Sequence, residues 1–273
     1  MTNIVIKLVV AFFLSNLALV PDAVASNDLL KKFYERERKL SKLKDKDFSL
    51  EAELGFLAAD GNTNTTTFKS SLTSEHELEK WSNRYFVEFI YKRNESTDTT
   101  EGRVTAQRFQ SSVQLDYKLA NTKDRFFMYA EYDDDRFNGF RYQAAVAAGY
   151  STTAWKTEDA QFRYSIGPGY SYSQKEHKDL GDKRYFSSFK EAILRASIDY
   201  RYKISDNAKF RQFLSAEAGE ENKRSRSETS VTADVLESLA MKLSFVMLYN
   251  NADFLNNDNL STEASISLVY QFF

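Results

Sequence analysis

The sequence predicts an all-β protein, an antiparallel transmembrane β-barrel of about 12 strands that follows a short periplasmic helix. Three observations lead to this prediction: apolar residues recur at every second position from Phe48 onward, aromatic residues are frequent, and the chain begins with an export signal. The 273 residues include 16 Tyr and 22 Phe but 2 Pro and no Cys, a composition that favours long strands and excludes a disulfide scaffold or a thiolate metal site. The formal net charge of −2 argues against a strongly basic protein that binds nucleic acid.

Residues 1–25 have the features of a signal peptide. Lys7 precedes an apolar run at residues 8–20, and the small residues at 23–25 form an Ala-x-Ala site that a signal peptidase can cut before Ser26. Beyond that run, no stretch has the roughly 18 to 20 consecutive apolar residues that a spanning helix needs. We therefore expect export and cleavage, in preference to an uncleaved anchoring helix.

Residues 26–47 predict a charged helical segment. Basic and acidic residues alternate along it, and Leu29, Phe33, Leu40 and Leu43 form a narrow apolar stripe with helical spacing. Such a segment can be a solvated linker in the periplasm, or it can dock on a partner or a membrane surface.

Residues 48–273 are predicted to form the barrel, because the apolar period changes here from 3.6 to 2. In the first strand Leu54 and Phe56 alternate with Glu51 and Glu53, which gives one apolar and one polar face. The same alternation predicts the other strands around residues 68–78, 85–91, 109–117, 126–132, 140–150, 162–172, 192–202, 210–218, 231–235, 243–249 and 260–272.

The predicted strands are suited to a bilayer. At roughly 10 to 16 residues they exceed the 5 or 6 residues of ordinary strands and match a tilted strand that crosses a membrane. Their apolar faces carry aromatic residues at the ends and small or aliphatic residues in the middle, as between Tyr142 and Tyr150. A soluble barrel would show the same period with its apolar face inward, so the even strand number, the export signal and the C-terminus favour the membrane.

The connections predict which end of the barrel faces the periplasm. Short connections are expected at residues 79–83, 120–124 and 205–207, and longer polar loops at 94–102, 174–183, 220–225 and 250–259. This alternation is typical of a barrel with both termini in the periplasm.

The chain ends on a candidate assembly signal formed by Tyr270, Phe272 and Phe273. A terminal aromatic residue after an alternating strand resembles the signal by which bacterial outer-membrane proteins are delivered to the barrel assembly machinery. We therefore expect that machinery as a partner, with outer-membrane lipid and lipopolysaccharide as the surroundings of the barrel and no nucleic acid.

Charged residues on the polar parity are predicted to line the lumen. Both signs are interspersed, so opposite charges on adjacent strands can pair across the wall and fill the interior, whereas a pore selective for one ion sign needs a ring of like charges. The predicted lumen residues are Glu51, Glu53, Arg84, Glu88, Arg108, Asp116, Arg125, Glu131, Arg141, Arg163, Glu191, Arg195, Asp199, Arg201, Arg211, Glu217, Asp234 and Glu263.

A series of short motifs resembles the domain of unknown function 481 family over about residues 48–273. The motifs are Leu54-Gly55-Phe56, Asp60-Gly61-Asn62-Thr63-Asn64-Thr65, Thr105-Ala106, Asp135-Arg136-Phe137, Gly139-Phe140, Gly167-Pro168-Gly169-Tyr170 and Tyr270-Gln271-Phe272. Some members of the family are described as salt-induced outer-membrane proteins. The resemblance implies an outer-membrane barrel of unassigned activity and supplies no catalytic residues.

The residues that could carry chemistry are few. His76 is expected on the lipid-facing parity, and His177 in a long loop where it could act as a base at the rim, although a solvated histidine is favoured. Asp60, Asn62 and Asn64 begin like a calcium loop but fit a hairpin turn better, and Asp133 to Asp135 are expected in a hydrated loop. We therefore expect no catalytic residues, no metal and no cofactor.

The sequence favours an outer-membrane barrel with a mixed-charge, largely filled lumen that serves envelope integrity or forms a narrow passive channel. Two alternatives are a barrel enzyme that acts on lipid or peptide at the outer rim, and a soluble secreted barrel that binds an apolar ligand.

Overall fold

The computed structural model describes residues 48–59, 63–96, 103–120, 123–135, 140–178, 184–251 and 259–272. The predicted signal peptide at 1–25, the helical segment at 26–47 and Phe273 lie outside the described residues. Within these ranges, no helix has the length and apolar character to cross a membrane.

Twelve antiparallel strands close into one barrel, each paired with its neighbours in sequence and the first paired with the last. The all-β fold and the strand number agree with the prediction. The strands are β1 Phe48–Ala59, β2 Thr63–Glu77, β3 Trp81–Ser96, β4 Arg103–Lys118, β5 Asp124–Asp135, β6 Phe140–Lys156, β7 Ala160–Lys178, β8 Arg184–Ser205, β9 Ala208–Ala218, β10 Lys223–Leu236, β11 Leu239–Asn250 and β12 Leu260–Gln271.

The two faces of the barrel wall have opposite chemistry. On β1, Leu54 and Phe56 are 58% and 69% exposed on the outside, whereas Glu53 between them is 6% exposed on the inside. Successive side chains of a strand point to opposite faces, so the period of two in the sequence becomes an apolar outer surface and a polar interior. On β5 the inner face also carries Phe127 and Tyr129, which form a small buried cluster with Ala147.

Aromatic rings form two belts on the outer surface. We call the end of the barrel that holds Phe48 and Phe272 the terminal end and the opposite end the loop end. The terminal belt contains the ring pairs Trp81–Tyr117 at 5.1 Å, Trp155–Phe162 at 4.3 Å and Tyr270–Phe272 at 4.7 Å, and the loop belt contains Phe109–Tyr132 at 6.4 Å, Tyr132–Tyr142 at 5.9 Å and Tyr142–Tyr172 at 5.7 Å. Tyr142 and Tyr150 on one strand stand about 26 Å apart at ~3.3 Å per residue.

Glycine permits a close approach between β6 and β7. A Cβ atom at Gly167 would lie 2.2 Å from the carbonyl oxygen of Ala148, and one at Gly149 would lie 2.3 Å from that of Ile166. No other residue fits these positions without a shift of the backbone, because Cβ atoms do not approach oxygen so closely.

Parts of two predicted loops are strands. β3 continues to Ser96 and β7 to Lys178, so residues 94–96 and 174–178 of the predicted loops at 94–102 and 174–183 belong to strands. The hydrogen bonds between strands use backbone groups, so a strand can continue through polar residues for which the sequence pattern predicts a loop.

Two assignments to loops are corrected for the same reason. His177 lies within β7, where its backbone is in register with Tyr185. Asp133 to Asp135 lie within β5 and not in a hydrated loop.

A bulge at the start of β6 reverses two predicted orientations. The register shifts between Phe140 and Tyr142, which leaves Arg141 without a register partner on β7. Phe140 is 3% exposed, while Arg141 is exposed with its guanidinium 5.0 Å from the ring of Phe186 on the outer face. The prediction of Arg141 as a lumen residue is therefore wrong, because an extra residue inverts the alternation on one side of a bulge.

Candidate functional site: charged residues of the barrel interior

A network of alternating charges occupies the middle and the loop end of the interior. Lys69 lies 3.4 Å from Glu88 and 3.4 Å from Glu263, and Lys242 contacts Glu53 at 3.0 Å and Glu228 at 3.2 Å. We call this set the central network. Its cations are Lys69, Arg108, Arg195, Arg224, Arg226 and Lys242, and its carboxylates are Glu53, Glu88, Glu131, Asp133, Glu217, Glu228 and Glu263.

Each cation of the central network touches at least one carboxylate. Glu217 accepts hydrogen bonds from both Arg195 and Arg224, and Arg195 also lies 3.5 Å from the ring centre of Tyr129. Arg108 donates to both carboxylate oxygens of Asp133, at 3.2 and 3.1 Å. Two donors on one guanidinium match two acceptors on one carboxylate, an arrangement that holds both side chains in place.

Some contacts join strands on opposite sides of the barrel. The Arg224 guanidinium of β10 lies 3.3 Å from Glu131 of β5, and Arg226 of β10 reaches Gln110 of β4 at 3.2 Å. Near the terminal end, Arg201 of β8 contacts Glu75 of β2 at 2.8 Å. In a ring of twelve strands, β2 and β8 face each other across the full diameter.

A second set near the terminal end is rich in arginine. Glu75 contacts Arg84 at 2.9 Å as well as Arg201, and Asp199 lies 3.4, 3.2 and 3.0 Å from Arg84, Arg201 and Arg211. Two further arginines, Arg125 and Arg163, lie nearby with Asp116. We call these residues the arginine cluster: Arg84, Arg125, Arg163, Arg201 and Arg211 with Glu75, Asp116 and Asp199.

Arg125 and Arg163 differ from all the arginines of the central network. Nε and Nη1 of Arg125 and Nε of Arg163 are buried and have no hydrogen-bond partner among the described residues. Ser151 lies directly opposite Arg125 in the register of β5 and β6. Its hydroxyl is also buried and has no hydrogen-bond partner among the described residues. Buried donors normally find acceptors, so these three side chains need an explanation.

The structure places most of the predicted lumen residues in these two sets. The central network holds seven of them, Glu53, Glu88, Arg108, Glu131, Arg195, Glu217 and Glu263, and the arginine cluster holds Arg84, Asp116, Arg125, Arg163, Asp199, Arg201 and Arg211. Glu51 lines a cavity at the terminal end, Glu191 accepts a 2.8 Å hydrogen bond from the backbone of Glu221, and Asp234 lies partly buried near the end of β10.

Sequence reasoning missed Lys69, Glu75, Asp133, Arg224, Arg226, Glu228 and Lys242. On β10 the apolar stripe begins only at Val231, so the parity of Arg224 and Arg226 was not visible from apolar neighbours. Extending the parity of Asp234 backwards along the strand would have found them, since period two places every second residue on the same face.

Two cavities flank the cross-barrel contacts. The cavity at the terminal end has a volume of about 370 Å³ and is lined by Glu51, Glu75, Gln161, Arg201 and Arg211, among others. The one at the loop end is smaller, about 60 Å³, between residues that include Arg108, Asp133 and Arg224.

The remaining predicted positions lie outside these clusters. His76 packs its ring edge-on against Phe48 at 5.6 Å, on the outer face. Tyr270 is the penultimate residue of β12 and lies on the outer face, and the backbone nitrogen of Phe272 donates to the carbonyl of Leu50 at 2.8 Å. The part of the chain that the structure describes contains no group of three or more His, Cys, Asp or Glu side chains arranged to hold a metal ion.

Known structures that resemble the chain are β-barrel proteins of low sequence identity. A NanC porin structure is 13% identical, covers 81% of this chain and 98% of its own, and has a TM-score of 0.46. The translocator domain of the autotransporter NalP from Neisseria meningitidis is 7% identical, covers 93% of this chain and 100% of its own, and has a TM-score of 0.46. An outer membrane channel from Pseudomonas putida F1 is 9% identical, covers 82% of this chain and 93% of its own, and has a TM-score of 0.45.

Sequence comparisons identify the family. A protein of Escherichia coli (strain K12) described as "Uncharacterized protein YdiY" is 25% identical over 206 residues, which cover 76% of this chain and 75% of that protein. The family model described as "Protein of unknown function, DUF481" matches residues 52–272, nearly the whole barrel, as the motifs in the sequence predicted. The chain belongs to this family.

Proposed function

We propose that the chain is an integral β-barrel of the bacterial outer membrane, with an interior filled by charged side chains and a non-catalytic role in envelope integrity. The observation that carries the proposal is the contact between Arg201 and Glu75, which meet at 2.8 Å from strands on opposite sides of the barrel. Side chains that touch across the full diameter leave no wide aqueous path.

The membrane placement is supported by the outer surface. Exposed apolar residues surround the barrel, among them Val146, Ile166, Leu194 and Leu243, each of which is about half exposed. Aromatic belts border this surface on both sides, as they do at the two interfaces of a bilayer. A water-soluble barrel that binds an apolar ligand would need the opposite arrangement, with its apolar face inward.

A narrow passive channel is the second candidate function. It is favoured by the cavity of about 370 Å³ at the terminal end, which reaches inward past Arg201 and Arg211 to Glu53 and Lys242. In this case ions would pass between the side chains of the arginine cluster and the central network.

Planar-bilayer conductance of the purified protein tests the filled interior. We expect current near the background, because cross-barrel pairs occupy the lumen. The matched variant Arg224→Ala with Arg226→Ala, which removes two side chains that cross the barrel, should give larger and less stable steps. Large, stable steps from the unmodified protein would contradict the proposal.

The assembly route has a separate test at the C-terminus. If Tyr270, Phe272 and Phe273 form the signal for the barrel assembly machinery, deletion of Phe272 and Phe273 should reduce insertion and leave export across the inner membrane intact. Folded barrel in outer membranes is measured by its heat-modifiable migration. Undiminished amounts of folded barrel would refute the role of the terminal residues.

A further inference from the structure

We propose that Arg125, Arg163 and Ser151 form a binding site for a small divalent oxyanion of the phosphate type, on the inner wall of the barrel. This inference goes beyond the proposed function and does not depend on whether the lumen conducts ions.

The three residues lie side by side on neighbouring strands. Arg125 of β5 is in register with Ser151 of β6, and Thr153, two residues further along β6, is in register with Arg163 of β7. Directly opposed residues share a face of the sheet with their Cβ atoms about 5 Å apart. The two guanidiniums and the hydroxyl therefore converge on one patch of the inner wall.

The donors of this patch are unused within the described chain. Arg125 is 7% exposed and Ser151 is 0% exposed. Nε and Nη1 of Arg125, Nε of Arg163 and the Ser151 hydroxyl find no hydrogen-bond acceptor among the described residues. Arginine remains protonated, so these donors stay charged, and their burial is costly unless a counter-charge pairs with them.

The surroundings of the patch are positive. Arg163 is repelled by Arg125, Arg84 and Arg201 and attracted by Asp116. Asp116 itself already accepts two hydrogen bonds from Gln114, at 3.2 and 3.1 Å. Like charges at such short range are costly unless a counter-charge lies between them.

Charge balance selects the class of ligand. Among the described residues the arginine cluster has five guanidiniums and three carboxylates, an excess of two positive charges. Glu77 also attracts Arg125, but it pairs with Lys118 at 2.6 Å, so the excess is unchanged when both are counted. A divalent oxyanion neutralises this excess, and its several oxygens can each accept from a guanidinium or a hydroxyl. A chloride ion carries a single negative charge and is one spherical acceptor, so it cannot accept separately from the two planar guanidiniums and the hydroxyl.

The cavity at the terminal end adjoins the patch. Gln161 lines this cavity and lies two residues before Arg163 on the same face of β7, and Arg201, which also lines it, interacts with Arg163. An anion from the terminal end therefore approaches the patch past Gln161 and Arg201.

Titration calorimetry of the full chain in detergent, with inorganic phosphate as the probe, tests the site. We expect saturable binding of one phosphate per barrel, and no saturable heat from sodium chloride at the same ionic strength. Arg125→Gln should weaken phosphate binding about tenfold to a hundredfold, because a hydrogen bond to a charged group is lost. Arg141→Gln, which removes the same charge from the outer face, should leave phosphate binding unchanged.

A thermal unfolding experiment separates a ligand site from a structural role. If the arginines only held the fold together, Arg125→Gln with Arg163→Gln would lower the melting temperature in every buffer. We expect this double variant to melt at a higher temperature than the unmodified protein in low-salt buffer and to lose the stabilisation by phosphate. Should the double variant fail to fold, Ser151→Ala should still weaken phosphate binding several-fold.

The absence of saturable phosphate binding to the unmodified protein would overturn the inference, as would undiminished phosphate affinity in Arg125→Gln. Neither outcome would bear on the filled lumen, which is measured by conductance.

Discussion

The central network and the arginine cluster lie on the same inner wall and use the same residue types, yet they differ in how their charges are balanced. In the central network six cations face seven carboxylates, and every cation contacts a carboxylate. In the arginine cluster three arginines share two carboxylates, and two more arginines have buried donors without a partner among the described residues.

This difference indicates two roles for the charged residues of one interior. A buried charge is costly unless it is paired, so the central network needs no counter-charge from outside the protein, and the loss of any one member destabilises the barrel because it leaves a partner uncompensated. An excess of positive charge in a confined site has to be compensated from outside the protein. The stability of the barrel should therefore depend on the central network, and the binding of an oxyanion on the arginine cluster.

The largest effect is expected from Glu217→Ala in the central network. Glu217 is 6% exposed and accepts from both Arg195 and Arg224, so its loss leaves two buried guanidiniums short of a carboxylate. We expect a loss of about 3 to 5 kcal/mol in the free energy of unfolding, measured by urea titration in lipid vesicles. Glu51→Ala, at an exposed position of β1, serves as the control and should change it by less than about 0.5 kcal/mol.

The second effect concerns the two faces of β8. Leu194 is 51% exposed on the outer face, next to the buried Arg195 on the inner face. Leu194→Arg should cost about 2 to 4 kcal/mol in a bilayer, because the charge enters the hydrocarbon region, while Leu194→Met should be nearly neutral. An equal cost for both variants would show that this surface does not face lipid.

The third effect measures how strongly the barrel is held across its diameter. A double-mutant cycle of Glu75→Gln and Arg201→Gln should give a coupling of about 0.5 to 2 kcal/mol, the lower part of the range for buried pairs because solvent screens this one. The side chains of Arg201 and Glu75 are 37% and 39% exposed. A coupling of zero would mean that the two side chains do not meet across the lumen.

The smallest expected change is an increase in the free energy of unfolding, and its sign distinguishes the arginine cluster from the central network. Arg163→Gln should raise the free energy of unfolding in low-salt buffer by up to about 1 kcal/mol, since it relieves repulsion from Arg125 and Arg84. Arg108→Gln, the matched change in the central network, should lower it by about 3 kcal/mol because Asp133 loses both of its hydrogen bonds from Arg108. If both variants lost stability equally, the distinction between the two regions would be wrong.

Much of the fold could be predicted because alternation is a local property. Leu54 and Glu53 differ in parity, and the geometry of an extended strand alone sends them to opposite faces. The prediction failed where the local rule is interrupted or has no apolar signal. The bulge beside Phe140 inverted the orientation of Arg141, and the polar first half of β10 concealed Arg224 and Arg226.

The pairing of charges in the candidate site could not be predicted from the sequence. Arg201 and Glu75 are separated by 126 positions, and nothing in the composition or the period of their strands connects them. They meet because the last strand closes on the first and brings β2 opposite β8.

The strands, their two faces, their number and the family could all be predicted from the amino-acid sequence, because each depends on residues a few positions apart or on short motifs. Which charges have partners depends on the closure of the barrel. A side chain in the interior contacts the residues that the curvature of the wall places within a few ångströms. The pairing in the central network and the donors of Arg125 and Arg163 that lack an acceptor among the described residues are therefore properties of the tertiary structure.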